Sequence, residues 1–325
     1  MRAIQIERIG GPEVMQLADV RIGEPGPGEV RVRHSAIGVN FIDTYQRSGL
    51  YQVALPAVLG SEAAGVVEAV GPGVTHLAVG DRVGYAARTP GSYAEARVLD
   101  ATPVFKLPDA IDFPRAAAMM LKGLTVQYLL RRTQPQGGLQ AGDMIVWHAA
   151  AGGVGLIACQ WAAALGLVVI ATAGSDEKCA LAKQHGATHT INYRTEDVNV
   201  RVREITGGRG VKVVYDSVGK DTWERSLQCL APFGLMVSFG NASGPVPPVN
   251  LLTLSPKSLH VTRPTLNTHT ANRAVGEQMA ADLFAMVTSG KVKIEIGRSY
   301  KLADAAQAHR DLEARATTGS VVLIP

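Results

Sequence analysis

The chain is poor in the residues that would mark several common classes of protein. It has three cysteines in 325 residues, Cys159, Cys179 and Cys229. An odd count at wide spacing argues against a disulfide framework and offers no zinc-ligand pair. Aromatic residues make up 5%, and no basic run interleaves with them. A nucleic-acid surface built from stacking rings and an electrostatic groove is therefore not indicated. Charged residues are 18% and the net charge is +4, spread along the chain, so no charged tail or arm stands out. No hydrophobic run reaches the length needed to cross a bilayer. The first ten residues read as a charged strand rather than a signal peptide. The sequence is read as soluble and cytoplasmic. No internal repeat or low-complexity tract is present.

What the chain does have is a hydrophobic fraction of 46% and glycine at 35 positions, the composition of a well-buried globular enzyme. Its length predicts two domains. Over residues 1–110, turn signals such as Gly10-Gly11-Pro12, Pro25-Gly26-Pro27-Gly28 and Gly71-Pro72-Gly73 separate short strand-like runs. Residues 29–36 alternate Val30 and Val32 with Arg31 and Arg33, the pattern of a strand with one wet face. A partly closed β-barrel is expected. The spacing of Ala116, Met119, Met120, Gly123, Leu124 and Tyr128 predicts a helix over 113–132, with Pro114 in its first turn.

From residue 143 the pattern changes to strand-helix alternation, which implies a parallel sheet covered on both faces. Strands are expected at 144–147, 167–173, 189–192, 211–216 and 235–239, with a helix continuing through 156–165 and others over 176–185, around 196–205 and over 222–229. Helices over 271–289 and 303–314, with strands near 291–297 and at 320–324, complete the chain. Cys159 and Cys179 fall inside these helices as small buried hydrophobes.

The most informative stretch is DMIVWHAAAGGVG, residues 143–155. An apolar strand runs into Ala150-x-Gly152-x-x-Gly155, the dinucleotide fingerprint with alanine in the first glycine place. Gly152 lets backbone approach a pyrophosphate, Gly155 lets the helix pack on its strand, and the helix start supplies unpaired N–H groups and a positive dipole end. The second strand then ends in Ala173-Gly174-Ser175 rather than in the acidic residue that binds a free ribose 2′-hydroxyl. Asp176 and Glu177 lie beyond that place and are expected to cap the next helix. Tyr193 and Arg194 follow the third strand, and the hydroxyl of Ser175, the ammonium of Lys178 and the phenol of Tyr193 converging there would suit a 2′-phosphate, so NADP(H) is favoured over NAD(H). Lys178 taken alone also fits an ordinary solvated helix lysine.

With these motifs in view the chain resembles the zinc-free quinone oxidoreductases, the zeta-crystallin branch of the medium-chain dehydrogenase/reductase superfamily, and among them the bacterial enzymes. The resemblance rests on NFIDTYQRSGLY (40–51), LGSEAAG (59–65), the segment 149–155, VYDSVG (214–219), VSFGN (237–241) and RATTG (315–319), in the same order over the whole length. It implies an α/β architecture, a Rossmann doubly wound parallel sheet plus a mainly β GroES-like catalytic domain. The catalytic domain would span 1–122, completed by 266–325, and the nucleotide-binding domain 123–265. Zinc relatives carry cysteine where this chain has Asn40 and histidine where it has Ser61. Both are poor zinc ligands, so no catalytic zinc is expected, and the segment 85–91 lacks the cysteines of a structural zinc lobe.

The resemblance implies roles residue by residue. Asn40, Tyr45 and Tyr51 would line a cleft near the nicotinamide, as the candidate catalytic residues. Lys122 and Thr125 would meet the cofactor. Ala150, Gly152, Gly153 and Val154 would hold the pyrophosphate. Gly174, Ser175, Lys178, Tyr193 and Arg315 would surround the adenosine and its 2′-phosphate. Ser217, Phe239, Gly240, Asn241, Thr262 and Arg263 would follow the ribose and nicotinamide. Structural alternatives stand beside these roles: the two tyrosines as core or interface residues, Asn40 as a helix cap, Arg315 as partner of a nearby acid. Lys122, set among apolar helix residues, needs a buried partner in either case. The expected reaction is NADPH-dependent quinone reduction; reduction of activated C=C bonds by the same apparatus is the alternative. An RNA-binding or structural NADPH-binding role is a more remote one. A homodimer through the edge strand of the nucleotide-binding sheet is expected, with residues around Met236 and 251–260 as candidates.

Overall fold

The computed structural model describes all of residues 1–325. In chain order the elements are β1 (Arg2–Ile6), β2 (Gln16–Asp19), β3 (Glu29–Val39), α1 (Phe41–Ser48), β4 (Ala57–Val58), β5 (Glu62–Val70), β6 (Arg82–Ala86), β7 (Ala96–Asp100), β8 (Val104–Lys106) and α2 (Phe113–Arg131). Then follow β9 (Met144–Trp147), α3 (Gly153–Ala164), β10 (Val168–Ala173), α4 (Asp176–Gln184), β11 (His189–Asn192), α5 (Val198–Ile205), β12 (Val211–Asp216), α6 (Trp223–Cys229), β13 (Leu230–Ser238) and β14 (His260–Thr262). The chain ends with α7 (Leu266–His269), α8 (Arg273–Thr288), β15 (Ile296–Lys301), α9 (Ala305–Glu313) and β16 (Ser320–Ile324).

Two compact units result. The first comprises 1–124, 266–288 and 294–325; the second comprises 125–265 and 289–293. The chain passes from one to the other within α2. None of the helices is long and apolar enough to cross a membrane.

In the first unit, a sheet in the order β15-β16-β3-β5-β6-β8, with β7 also paired to β3, curls around a core, and a small β2-β1-β4 sheet closes it. The alternation in β3 puts Val30, Val32, Ile37 and Val39 into that core with Ile4, Leu59, Tyr85, Tyr93 and Leu323. The strand expected at 291–297 instead begins at Ile296 and runs to Lys301. Gly290, at φ +73°, ends α8 in a turn, and the pairing of β15 with β16 carries a bulge between Ile296 and Arg298.

In the second unit, six parallel strands lie in the order β11-β10-β9-β12-β13-β14. That order reverses direction between β9 and β12, and ligands of such sheets bind beyond the carboxyl ends of the strands at that point. Ile145, Val146 and Trp147 of β9 are fully or almost fully buried, as an apolar run in a doubly covered strand requires. The strand expected at 235–239 starts earlier, at Leu230, and β14 was not foreseen because it is only three residues long. Met236, named from the sequence as a dimer-contact candidate, is fully buried in the core of this unit between β12 and β14. The open edge belongs to β14, where Val261 is exposed together with Leu251 and Leu252 of the preceding turn.

Candidate active site

Most of the residues expected to bind a nucleotide lie at the carboxyl ends of β9, β10, β12 and β13 in the second unit. After Trp147 the chain turns through Ala149, which takes the left-handed conformation (φ +54°), a strained state for a residue with a Cβ. Ala150 is fully buried, and its N–H donates to the Thr172 carbonyl at 3.1 Å. It ties the turn to β10 rather than offering a donor outward. Helix α3 begins at Gly153 with Gly152 as its cap residue, and no side chain caps it. The N–H groups of Gly153, Val154 and Gly155 therefore form a donor cluster reinforced by the helix dipole. A Cβ on Gly155 would lie 2.5 Å from the Ala150 carbonyl oxygen; the bare glycine lets α3 press onto the turn. At Gly152 an added Cβ would meet only its own turn, the Ala149 carbonyl at 3.3 Å, which leaves that side open to a ligand.

The corner after β10 brings together several of the residues expected to meet a 2′-phosphate. The cap of α4 is Ser175, whose Oγ accepts from the Lys178 N–H at 3.3 Å. This corrects the expectation that Asp176 and Glu177 cap the helix. They occupy its first turn, and Asp176 accepts from Asn192 Nδ2 at 2.8 Å. That bond turns the Asp176 carboxylate toward the end of β11. A Cβ on Gly174 would meet the Tyr193 hydroxyl at 2.5 Å, so glycine here allows the phenol to lie over the end of β10. Ser175, Lys178 and Tyr193 thus share one corner with Gly174. Arg315 belongs to the other unit, exposed after α9 in the left-handed conformation (φ +57°).

Beyond β12 and β13 the expected ribose and nicotinamide residues also come together. A Cβ on Gly240 would lie 2.4 Å from the Ser217 carbonyl oxygen, the Phe239 N–H donates to the Asp216 carbonyl at 2.8 Å, and the Ala242 N–H donates to that of Ser217 at 3.1 Å. Arg263 donates Nη1 to Ser238 Oγ at 2.9 Å, and Thr262 pairs with Val237. Thr125 is buried at the start of this unit's part of α2.

The structure adds a buried group that the sequence reading left without a role. Asp216 ends β12, and its carboxylate accepts from the N–H groups of Val218 and Gly219 (2.7 and 3.0 Å), from Thr222 Oγ1 (2.7 Å) and from Ser226 Oγ (2.8 Å). Since the Ser226 proton goes to Asp216, Ser226 accepts from His148 Nε2 at 3.0 Å. The other ring nitrogen then accepts from Thr172 Oγ1 at 2.9 Å. Burial lowers the His148 pKa, against the raising effect of Asp216. One acid thus holds the Ser217 loop and joins β9, β10 and β12. A carboxylate inside the apolar run 211–218 was the available signal.

The first unit contributes a different kind of site. Asn40 precedes α1, and its backbone N–H donates to Asp43 Oδ2 at 2.9 Å, one half of a capping box. Its cap position was one of the two readings open from sequence. Its side-chain Nδ2 donates to Glu62 Oε2 at 2.8 Å. Lys122 Nζ donates to the same oxygen at 3.0 Å, and the Leu121 N–H donates to Oε1 at 2.7 Å. Glu62 is fully buried and Lys122 nearly so. This is the partner that the lysine required, and it brings Asn40 and Lys122 onto one carboxylate. Gly49 ends α1 in the left-handed conformation, and the chain returns so that Tyr51 meets Tyr45 edge to face, with ring centres 5.4 Å apart. Tyr45 is buried and Tyr51 is 37% exposed.

The two positions at which a zinc dehydrogenase carries metal ligands are committed to hydrogen bonds, Asn40 to Glu62 and Ser61 Oγ to Asp43 Oδ1 at 3.0 Å. No group of three or more His, Cys, Asp or Glu is placed to hold a metal. An amide, a hydroxyl and a lysine-paired carboxylate do not make a zinc donor set.

Comparison with known proteins agrees with this geometry. The family model "Alcohol dehydrogenase GroES-like domain" matches residues 26–109 and "Zinc-binding dehydrogenase" matches 153–284. A quinone oxidoreductase of Pseudomonas aeruginosa is 57% identical, covering 100% of this chain and 99% of its own. A 2-haloacrylate reductase of a Burkholderia species is 44% identical over 99% of this chain and 98% of its own. Among solved structures, Escherichia coli quinone oxidoreductase complexed with NADPH superposes with a TM-score of 0.97 at 50% identity, covering the whole of both chains.

Proposed function

The chain belongs to the quinone oxidoreductase family of the medium-chain dehydrogenase/reductase superfamily, and from that premise we propose that it reduces quinones with NADPH and without a catalytic zinc ion. The observation that carries the reading is the uncapped first turn of α3 beside the Ser175–Lys178–Tyr193 corner. Its donors fit a pyrophosphate, and its cation and hydroxyls fit a 2′-phosphate. When bound, NADPH supplies the reducing equivalents from its nicotinamide ring. The backbone of Gly153 and Val154 would hold the diphosphate, while Gly174, Ser175, Lys178 and Tyr193 would select the phosphorylated ribose. Ser217, Phe239, Gly240, Asn241, Thr262 and Arg263 support the ribose and nicotinamide. Asn40, with its amide fixed by Glu62, and the Tyr45–Tyr51 pair orient the acceptor.

An amide and a hydroxyl committed to neighbouring carboxylates are poor ligands for a zinc ion, so the proposed acceptor is one that is electrophilic without a bound metal. Quinones meet that requirement, and so do C=C bonds conjugated to a carbonyl. The likeness to a 2-haloacrylate reductase makes the second class the alternative substrate. NADPH oxidation measured with 1,4-naphthoquinone and with an α,β-unsaturated ketone separates the two. The quinone should be the better acceptor by kcat/KM; the reverse order would transfer the assignment to C=C reduction. Tyr45 acts here by orienting, so Tyr45→Phe should keep most of kcat and raise KM for the acceptor. Loss of turnover with NADPH affinity intact would make Tyr45 the proton donor.

Two copies are taken to associate through β14, whose open edge and exposed Leu251, Leu252 and Val261 would be covered by a second copy. Sedimentation as a monomer at micromolar concentration would overturn this. A cytoplasmic location belongs to the same reading, supported by three buried unpaired thiols.

A further inference from the structure

A second buried chain of hydrogen bonds in the first unit converges on Asp43 from the side of α9. Arg47 Nη2 donates to Glu313 at 2.6 Å, and its Nη1 meets His309 Nδ1 at 2.9 Å. An arginine only donates, so Nδ1 accepts and the neutral ring carries its proton on Nε2. That proton points to the Tyr93 hydroxyl, 3.0 Å away. The Tyr93 proton is thereby directed to Asp43 Oδ2, also at 3.0 Å. From the other side, Ser61 Oγ donates to Oδ1 and the Asn40 N–H to Oδ2. Arg47, His309, Tyr93, Asp43 and Ser61 are all at most 2% exposed. Every donor orientation in the chain is therefore set by the one cation at its end, and three donors meet on a single carboxylate.

We propose that Asp43 is a positioning residue for the reaction: as the carboxylate, it locks the start of α1, which carries Asn40 and Tyr45, to the Ser61–Glu62 segment that orients the Asn40 amide. The proposal rests on the reductase assignment above and concerns the acceptor side of that site. Asp43 touches neither cofactor nor acceptor; it acts through Asn40 and Ser61. The charged and titratable groups around it are Lys122 of α2, Glu62 of β5 and Tyr93, with His309 of α9 and Arg47 of α1 behind Tyr93. Burial raises the Asp43 carboxyl to about 7, opposed by the bonds from Asn40, Tyr93 and Ser61 and by Lys122. Protonation would place a hydrogen on one of the two oxygens, Oδ1 addressed by Ser61 or Oδ2 addressed by Tyr93 and Asn40, so that the three donors no longer all find an acceptor.

The test is the pH dependence of kcat/KM for NADPH oxidation, read with both a naphthoquinone and an α,β-unsaturated ketone. The unmodified enzyme should lose activity toward acid pH, with an inflection near 7. Ser61→Ala deletes one donor to the charged form and should move that inflection upward by about one pH unit. Ser61→Thr, which keeps the hydroxyl, should restore it, and Asp43→Asn should abolish it. A purely structural role would scale the whole profile without moving the inflection. An inflection unmoved in Ser61→Ala, or one surviving in Asp43→Asn, overturns the proposal. If Asp43→Asn fails to fold, the Ser61 pair decides alone. An enzyme inert toward the quinone would overturn the quinone assignment, while the profile with the ketone would still decide on Asp43.

Discussion

The two units build their parts of the apparatus in opposite ways. The nucleotide unit works mainly with backbone: an uncapped helix start, a glycine against a carbonyl, and one aspartate folded onto the N–H groups of its own loop. The other unit works with buried side-chain charge, Glu62 on Lys122 and Asn40, and Asp43 on Ser61, Tyr93 and Asn40. A backbone site depends on what is missing from a position, a charge site on finding the right partner. The first should therefore fail when atoms are added and the second when a partner is removed.

The largest effect should come from removing a partner. Lys122→Ala leaves Glu62 charged and fully buried, which should destabilise the protein by about 3–5 kcal/mol. Denaturant unfolding of the variant checks this. Lys122→Met combined with Glu62→Gln should recover most of the loss, since a neutral pair has no unpaired charge. If the single and double variants are equally unstable, the ion pair is not what matters there.

An addition in the nucleotide unit should be next. Gly155→Ala forces a methyl group to 2.5 Å from a carbonyl oxygen, and overpacking of this kind costs about 1–3 kcal/mol. The displaced turn should weaken NADPH and NADH binding alike. A variant that binds NADPH normally would show that the close approach of α3 to its strand is not needed.

The first unit should also respond to acid. Burial holds His34 down to about 4 and His309 to about 3. Because these histidines take up protons more readily unfolded than folded, stability is full above pH 6.5 and is lost as pH falls toward those values. The slope is about 1.4 kcal/mol per pH unit for each group. Unfolding free energies between pH 7 and 4 should show the two histidine losses net of the opposite contribution of Asp43, whose raised carboxyl takes up its proton more readily folded than unfolded in that range. His309→Gln should reduce the slope without touching NADPH affinity; an unchanged slope would remove His309 from this account.

The same contrast explains what the sequence disclosed. The nucleotide unit was readable because strand-helix alternation and the 150–155 turn are local patterns, and the strands at 189–192 and 211–216 fall where expected. Glu62, Asp43 and Asp216 lay inside quoted motifs yet carried no assigned role. Their partners are 60, 50 and 10 residues away, separations that no periodicity reports. His309 and Tyr93 stand 216 residues apart and meet only because α9 packs on the first unit's barrel. Boundaries failed where bulges and turns intervene, as at β15, and Met236 was taken for an edge residue because the short strand β14 outside it left no pattern.

The central claim is that Gly174, Ser175, Lys178 and Tyr193 form a pocket for a phosphorylated ribose beside the α3 cradle. Fluorescence titration of the protein with NADPH and, separately, with NADH tests it most directly. The expected result is NADPH binding at least about tenfold tighter, roughly 1.4 kcal/mol, with the difference shrinking in Lys178→Ala. Equal affinities for the two nucleotides would contradict the pocket, and binding of neither would contradict the cradle itself.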